Sequence, residues 1–273
     1  ILWADWMIDW PRRDVMRHML ARPNLALVAR RQMPPTGACS HFWITDTIAL
    51  DGLVRSDNRG SESVFPLWLD TGSATGQANL AQEFVAAIAA ELGLTWDECG
   101  TSSAKGQFGP VDVLHYIYGL FNSPTYRLRY CESLRRDFPR VLIPKHRLIW
   151  TAFRDIGERL AKLHLMECVT VDESPTAPGD SSRLGTGYPK FANGRIWLNN
   201  QGPSVLANER IWNFHVGTHQ VCRKWLRDRG AFGAKTLSRY GRIVAAIEET
   251  LELTDRLDAV VAEVGGWDAA FST

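Results

Sequence analysis

The sequence predicts an α+β fold: a strand-rich N-terminal third followed by a mainly helical body that carries a β-hairpin. Three observations predict it. Short β-branched and aromatic runs bounded by Gly and Pro occupy the first third. Amphipathic periodicity with Pro at helix starts and Gly at helix stops occupies most of the rest. Between Pro189-Lys190-Phe191 and Arg195-Ile196-Trp197-Leu198, the pair Asn193-Gly194 supplies the two positive φ angles of a type I′ turn. With 273 residues and 45% apolar content the chain can build a full core. The strand-rich part is placed at 1–107 and the helical part at 108–273, together one compact module.

Pro11 to Leu20 reads as a short helix with Pro in its first turn. Asn24–Gln32, His41–Ile48 and Val64–Leu69 read as strands, separated by loops at Pro34-Pro35, Gly52 and Gly60. Asn79 is expected to cap a helix that runs to Leu92 and is closed by Gly93; residues 99–109 read as a polar linker. Pro110 opens a helix to Phe121, and Ser123-Pro124 opens another to Asp137. Pro139 and Pro144 interrupt the chain before a third helix, Leu148–Glu167. Residues 172–186, rich in Ser, Pro, Gly and Asp, read as an exposed loop before the hairpin Tyr188–Asn199. A helix Thr218–Asp228 and a long one from Leu237 to Val264, stopped by Gly265-Gly266, complete the chain. Trp3, Trp6 and Trp10 look core-like, and the start at Ile1 reads as a piece of a longer polypeptide.

The net charge of +1 conceals a segregated field. Between Lys190 and Arg242 ten Lys or Arg face only Glu209 and Asp228, with Trp197, Trp212, Phe214, Trp225 and Tyr240 among them. From Glu248 to Asp268 there are seven carboxylates and one Arg. Counterion release from a phosphate backbone is the commonest physical use of such a basic stretch. The cations are 25 Arg and 6 Lys. Arg suits bidentate contacts to phosphate and guanine, although a GC-rich genome would also enrich it. Five scattered cysteines without a C-x-x-C pair argue for a reduced, cytoplasmic protein without a disulfide framework. No stretch approaches the ~20 apolar residues of a membrane span.

Catalytic signatures are weak. Leu67-Trp68-Leu69-Asp70-Thr71-Gly72-Ser73 matches an aspartic-peptidase signature, but that chemistry needs two carboxylates sharing a proton, and Asp180-Ser181-Ser182 lacks the glycine. His215, His219 and Cys222 fall at i, i+4 and i+7, a spacing for metal ligands on one helix face, yet no fourth ligand is evident and structural histidines are the simpler reading. Phosphate-binding, nucleophile-elbow and H-E-x-x-H motifs are absent. Met33-Pro34-Pro35-Thr36 lacks the leading Asn or Asp and the trailing aromatic of an adenine-methyltransferase loop. No catalytic residue and no metal site are therefore assigned to this chain.

The run Ile211–Arg229, followed by Leu237–Thr250, closely resembles the C-terminal specificity region of type ISP restriction-modification enzymes. So do Tyr116–Tyr130 with Asp137-Phe138-Pro139-Arg140, Trp10–Leu20 with Asn24–Val28 and Arg31-Gln32, and Val64–Leu69. In that family one polypeptide joins a nuclease, an ATP-driven helicase-like translocase, an N6-adenine methyltransferase and a target recognition domain. The resemblance implies that this chain is the last of these, reading a short asymmetric sequence in double-stranded DNA and presenting an adenine to the methyltransferase. S-adenosylmethionine, ATP and Mg²⁺ would then belong to the parent enzyme, and the partners would be duplex DNA and the covalently linked methyltransferase and helicase-like domains, with no membrane. A docking module that reads no bases, and an independent hydrolase, are the competing readings.

Recognition of this kind uses Arg and Lys on phosphates for register and Arg, Asn or Gln on base edges for specificity. Arg12 and Arg13, with Arg17, form a candidate phosphate clamp or a solvated helix face. Arg30, Arg31 and Gln32 end a strand beside the Pro-Pro loop; adjacent residues on a strand point to opposite faces, so at least one Arg points outward. Lys190, Arg195, Asn199, Asn200 and Gln201 decorate the hairpin and its exit, where a two-stranded ribbon suits a major groove. Arg223, Lys224, Arg227 and Arg229 lie on a helix whose other face is apolar; they contact phosphates or pair with Glu248, Glu249 and Glu252.

Overall fold

Every residue of the strand Ala26–Arg30 is buried, and the elements that cover its two faces define the first part of the fold. The structure, a computed structural model, describes residues 12–34, 37, 39–49, 62–72, 76–100, 106–169, 182–200, 202–217 and 219–272. Trp3, Trp6, Trp10, Pro11, Pro35, Gly52, Gly60, Ser73, Gln201, Thr218 and most of the expected loop at 172–186 lie outside the described residues. The chain divides into two compact units, 1–165 with 254–273, and 166–253. It thus leaves the first unit once and returns to it once.

In the first unit, α1 (Arg13–Leu20) precedes β1 (Ala26–Arg30), β2 (Phe42–Thr45) and β3 (Glu62–Pro66), which form an antiparallel sheet in the order β2-β1-β3. Met16 and Met19 of α1 pack with Ala26, Val28 and Val64 on one face of this sheet. Asp14 in the first turn of α1 and Arg17 in the last complement the helix dipole. Buried Asn24 ties the corner together: its amide donates to the carbonyls of His18 and Trp68 and its oxygen accepts the Trp68 N–H. Strands β4 (Trp68–Leu69) and β5 (Gln77–Ala78) pair next, followed by α2 (Gln82–Leu92). Asn79 does not cap α2 as expected. Its amide donates to Pro66 O at 2.9 Å, and Ala81 occupies the cap position. Gly93, with φ 60°, closes α2 as expected.

The residues 99–109 are not wholly a linker: β6 (Thr95–Trp96) pairs in parallel with β7 (Gln107–Phe108), and Phe108 is buried. Helix α3 (Pro110–Asn122) then begins with Pro in its first turn and the Asp112 carboxylate accepting the Gly109 N–H at 2.8 Å. The single helix expected over 123–137 is two short ones, α4 (Pro124–Arg129) and α5 (Cys131–Leu134), with Tyr130 between them. Strand β8 (Ile143–Pro144) leads into α6 (Arg147–His164). Helices α3 and α6 pack closely because each has a glycine at the contact: a Cβ at Gly119 would collide with Phe153 O, and one at Gly157 with His115 O. Aromatic rings fill the surroundings, with Phe42 against Phe121 at 4.8 Å, Tyr116 against Trp150 at 5.0 Å and Phe153 against Phe271 at 5.4 Å. An apolar cavity of about 410 Å³ remains between the sheet and α3, lined by Leu27, Phe65, Leu67, Ile117 and Phe138.

The second unit holds β9 (Ser182–Arg183), the hairpin β10 (Lys190–Ala192) and β11 (Arg195–Trp197), and a third strand β12 (Ser204–Leu206) added to that hairpin. Asn193 (φ 52°) and Gly194 (φ 70°) make the expected turn. Next come α7 (Glu209–Trp212), capped by the Asn208 side chain, a small hairpin of β13 (His215–Val216) and β14 (His219–Gln220), and α8 (Val221–Arg227). The helix expected from 218 therefore starts three residues later, at Val221, because His219 and Gln220 are strand. Strand β15 (Ala231–Phe232) pairs with β9 and precedes α9 (Ala234–Glu263). Ile196, Leu198, Val205, Ile211, Leu226 and Tyr240 belong to a core of this unit's own. After Leu253 the residues of α9 belong to the first unit, as do α10 (Trp267–Ala270) and β16 (Phe271–Ser272), which pairs with β8. Asp258 accepts bonds from the Ser123 and Thr125 hydroxyls, both at 2.8 Å, at the start of α4.

Candidate nucleic-acid interface

Two groups of cationic and amide side chains carry the sequence-based candidates, one on each unit. In the first unit, Arg12 is spent on structure, its Nη1 donating to Glu62 O at 3.2 Å, and Arg13 is exposed on α1. The two Arg that end β1 point opposite ways. Arg30 is 2% exposed and lies opposite Glu62, itself buried, in the register of β1 and β3. A side chain in that position meets no duplex, so Arg30 is removed from the candidate contacts. The physical reason is that α1 and α3 cover both faces of a three-stranded sheet, so its central strand has no solvent face. Burial holds the Arg30 guanidinium below its ordinary pKa, and the Glu62 carboxylate acts against that shift.

Arg31 faces outward, with its Nε 3.2 Å from Asp137 Oδ1 and both side chains more than two-thirds exposed. Gln32 donates to Arg136 O at 3.2 Å, also at the surface. Asp137 is held below the usual carboxylate range first by the Phe138 N–H and then by Arg31. An exposed pair of this kind is screened by solvent and holds Arg31 only weakly.

In the second unit, Lys190 is exposed on the hairpin, its Nζ 4.9 Å from the Tyr188 ring centre. Arg195 on the facing strand donates to Ser204 Oγ at 2.8 Å and is partly buried, which directs it along the sheet. Asn200 is exposed and Asn199 half-buried against Gly185 and Gly202. On α8, Arg223 and Arg227 are exposed, and Lys224 pairs with Asp228 one turn on at 2.9 Å. Sequence reasoning missed one further cation here, Arg183, whereas Arg229, a candidate from the sequence, lies just past the end of α8. Arg229 sits over Trp225, its guanidinium carbon 3.7 Å from the ring centre, and donates to Trp225 O. Arg183, assigned to a loop, is in β9 directly opposite Ala231, which places it beside the end of α8. The periodicity of α8 pointed to Arg229, but a two-residue strand paired with a distant partner leaves no local signal for Arg183.

The catalytic look-alikes dissolve in the geometry. Asp70 faces Arg22 at 3.8 Å and accepts the Gly72 N–H, a loop closure with a cation beside it, and Asp180 lies outside the described residues. His215 and His219 are on opposite strands of a hairpin, not on one helix face, and Cys222 is fully buried in the core. Among the described residues no group of three or more His, Cys, Asp or Glu is placed to hold a metal ion, and no helix is long and apolar enough to cross a membrane. The cavity in the first unit has Asn79 as the one polar residue in its wall, which suits packing and not proton transfer.

Comparison with known proteins gives the arrangement its context. The family described as the Type ISP C-terminal specificity domain matches residues 1–256. No match was found among curated proteins. Similar solved structures include the ATP-dependent Type ISP restriction-modification enzyme LlaBIII bound to DNA, with a TM-score of 0.58, 19% identity, and coverage of 86% of this chain and 16% of that one. A nuclease-deletion mutant of the Type ISP enzyme LlaGI in complex with a DNA substrate mimic gives 0.56, 17%, 86% and 21% in the same order. DrdV in a DNA complex gives 0.55, 16%, 88% and 24%. At these identities the likeness is one of fold, and this chain spans a quarter or less of the length of those chains. A family match over residues 1–256 of 273, on an α+β fold shared with enzymes of the same type, places the chain in the Type ISP C-terminal specificity domain family.

Proposed function

We propose that this chain recognises a short sequence in double-stranded DNA for a restriction-modification enzyme and positions the target adenine for an N6-adenine methyltransferase domain elsewhere in the polypeptide. The observation that carries the reading is the set of solvent-facing cations and amides on the second unit, Lys190, Asn200, Arg223 and Arg227, in a member of a specificity-domain family. The structural neighbours held on DNA support it. Cations on a helix and at a hairpin supply phosphate contacts for register, while Asn200, Gln32 and Arg31 are the groups able to read base edges. The chain contributes binding and orientation, and the S-adenosylmethionine, ATP and Mg²⁺ chemistry belongs to the linked domains.

Selection of bound duplexes from a random-sequence pool tests this. One short common sequence is expected, with log K falling by about 0.9 per phosphate contact for each decade of salt. Flat affinity across sequences would instead indicate a docking module that reads no bases. Arg31→Ala is expected to weaken specific binding by about 1–3 kcal/mol and relax selection at one position. An equal loss on every sequence would make Arg31 a phosphate contact.

A further inference from the structure

We propose that Cys39 and Cys131 are an oxidisable pair, a site of reversible disulfide formation that clamps the segment carrying Arg31 and Gln32 onto the residues around α5. Their sulfurs lie 2.8 Å apart, and Cys39 also donates to Cys131 O at 3.6 Å. Both are free thiols here. The segments that carry them are already tied together by further bonds. Met33 N–H donates to Leu134 O at 2.9 Å, Gln32 to Arg136 O, Arg31 to Asp137, and Arg135 to Gly37 O at 3.5 Å. Arg31, Gln32 and Met33 meet Asp137, Arg136 and Leu134 in reverse chain order, and Cys39 meets Cys131 beyond that array. The final approach to a bonded S–S length of about 2.04 Å is therefore under about 1 Å.

The two thiols differ in access. Cys39 is 2% exposed, and burial, then the bond to Cys131, pushes its pKa up to about 12, so it waits as a thiol. Cys131 is only half-buried and meets an oxidant first. With a hydroperoxide, the Cys131 sulfur attacks the peroxide oxygen, the O–O bond breaks, and a sulfenic acid and water form with hydrogen peroxide. The Cys39 sulfur then attacks the Cys131 sulfur; the S–S bond forms, the S–O bond breaks, and the hydroxide leaves with the Cys39 proton as a second water. Two thiols lose two electrons and the peroxide gains them. The remaining cysteines are placed differently: Cys99 and Cys168 are exposed, and Cys222 is buried in the second unit.

The experiment uses the full chain with Cys99→Ser and Cys168→Ser, which leaves three of the five cysteines. After treatment with one equivalent of hydrogen peroxide, the thiol count under denaturing conditions is expected to fall from three to one. Non-reducing peptide mapping should show Cys39 joined to Cys131, and dithiothreitol should reverse it. Closing a 92-residue separation should raise the thermal midpoint by about 5 °C or more. Peptide mapping of the unsubstituted chain covers the case in which the serine variants do not fold. A stable Cys131 sulfinic acid with Cys39 still open to alkylation would overturn the proposal. So would a midpoint rise that survives in Cys131→Ser.

Discussion

In the first unit Arg30 is buried and Arg127 half-buried, whereas in the second Arg223 and Arg227 lie outside, and the surroundings differ far more than the side chains do. Arg30 is buried opposite Glu62. Arg127 donates to Phe121 O at 2.7 Å and Asn122 Oδ1 at 2.6 Å, with the Phe42 ring 5.8 Å away, and burial pushes its pKa down to about 10. The Arg127 guanidinium thus bonds to its own chain beside an aromatic ring. The guanidiniums of α8 have solvent on one side and leave Cys222 and Leu226 to anchor the helix. A charge count over the sequence treats both kinds alike, and only the coverage of each element separates a cation that binds its own chain from one free to bind another.

The strongest challenge to that contrast is Arg30→Ala. Leaving Glu62 buried without the guanidinium opposite it is expected to cost about 3–5 kcal/mol in urea unfolding. A variant of wild-type stability with altered sequence preference would instead return Arg30 to the interface.

Acid sharpens the contrast next. His164 contacts the Tyr118 hydroxyl at 2.5 Å, and burial, with Arg127 adding to it, lowers its pKa to about 4. The native state therefore holds the neutral ring, while the unfolded chain takes up a proton near pH 6.5. Stability should be full above that value and fall by about 3 kcal/mol as pH drops to about 4, with little further loss from this group below. Buried His18, whose Nδ1 accepts the Asp70 N–H, shifts in the same direction. Hydrogen exchange at pH 4.5 should show α3 and α6 losing protection before β10 and β11. The reverse order would mean that the first unit does not depend on uncharged histidines.

The smallest stability effect belongs to the double substitution Arg223→Ala with Arg227→Ala, within about 0.5 kcal/mol of wild type. Its signature lies in binding, where the slope of log K against log[salt] should become shallower by about 2. Unfolding of this variant at room temperature would show that α8 uses its cations internally.

How much of this was legible in the sequence follows from the range of the forces involved. The hairpin at Asn193-Gly194, the Pro110 start of α3 and the Gly265 stop of α9 are written in local chemistry and were read correctly. Adjacent residues of a strand face opposite ways, and that predicted that one of Arg30 and Arg31 points out. Which one does depends on α1 and α3, elements that a strand pattern cannot see. Strands β9 and β16 are two residues long and exist because distant β15 and β8 pair with them. Asn79 looked like a cap because caps are local, but a carbonyl on β3 competed for its amide. The site was legible as composition, a basic stretch with interleaved aromatics, and not as a surface, because exposure is a property of packing.

The single excursion from Leu165 to Thr254 has a consequence for how such domains diversify. A segment with its own core, spliced into a host that supplies both ends, behaves as a cassette: its outer residues can be rewritten without disturbing the host's ring-packed interior. Substitutions on the exposed face of the graft would then leave the host's glycine-tight helix pair unchanged.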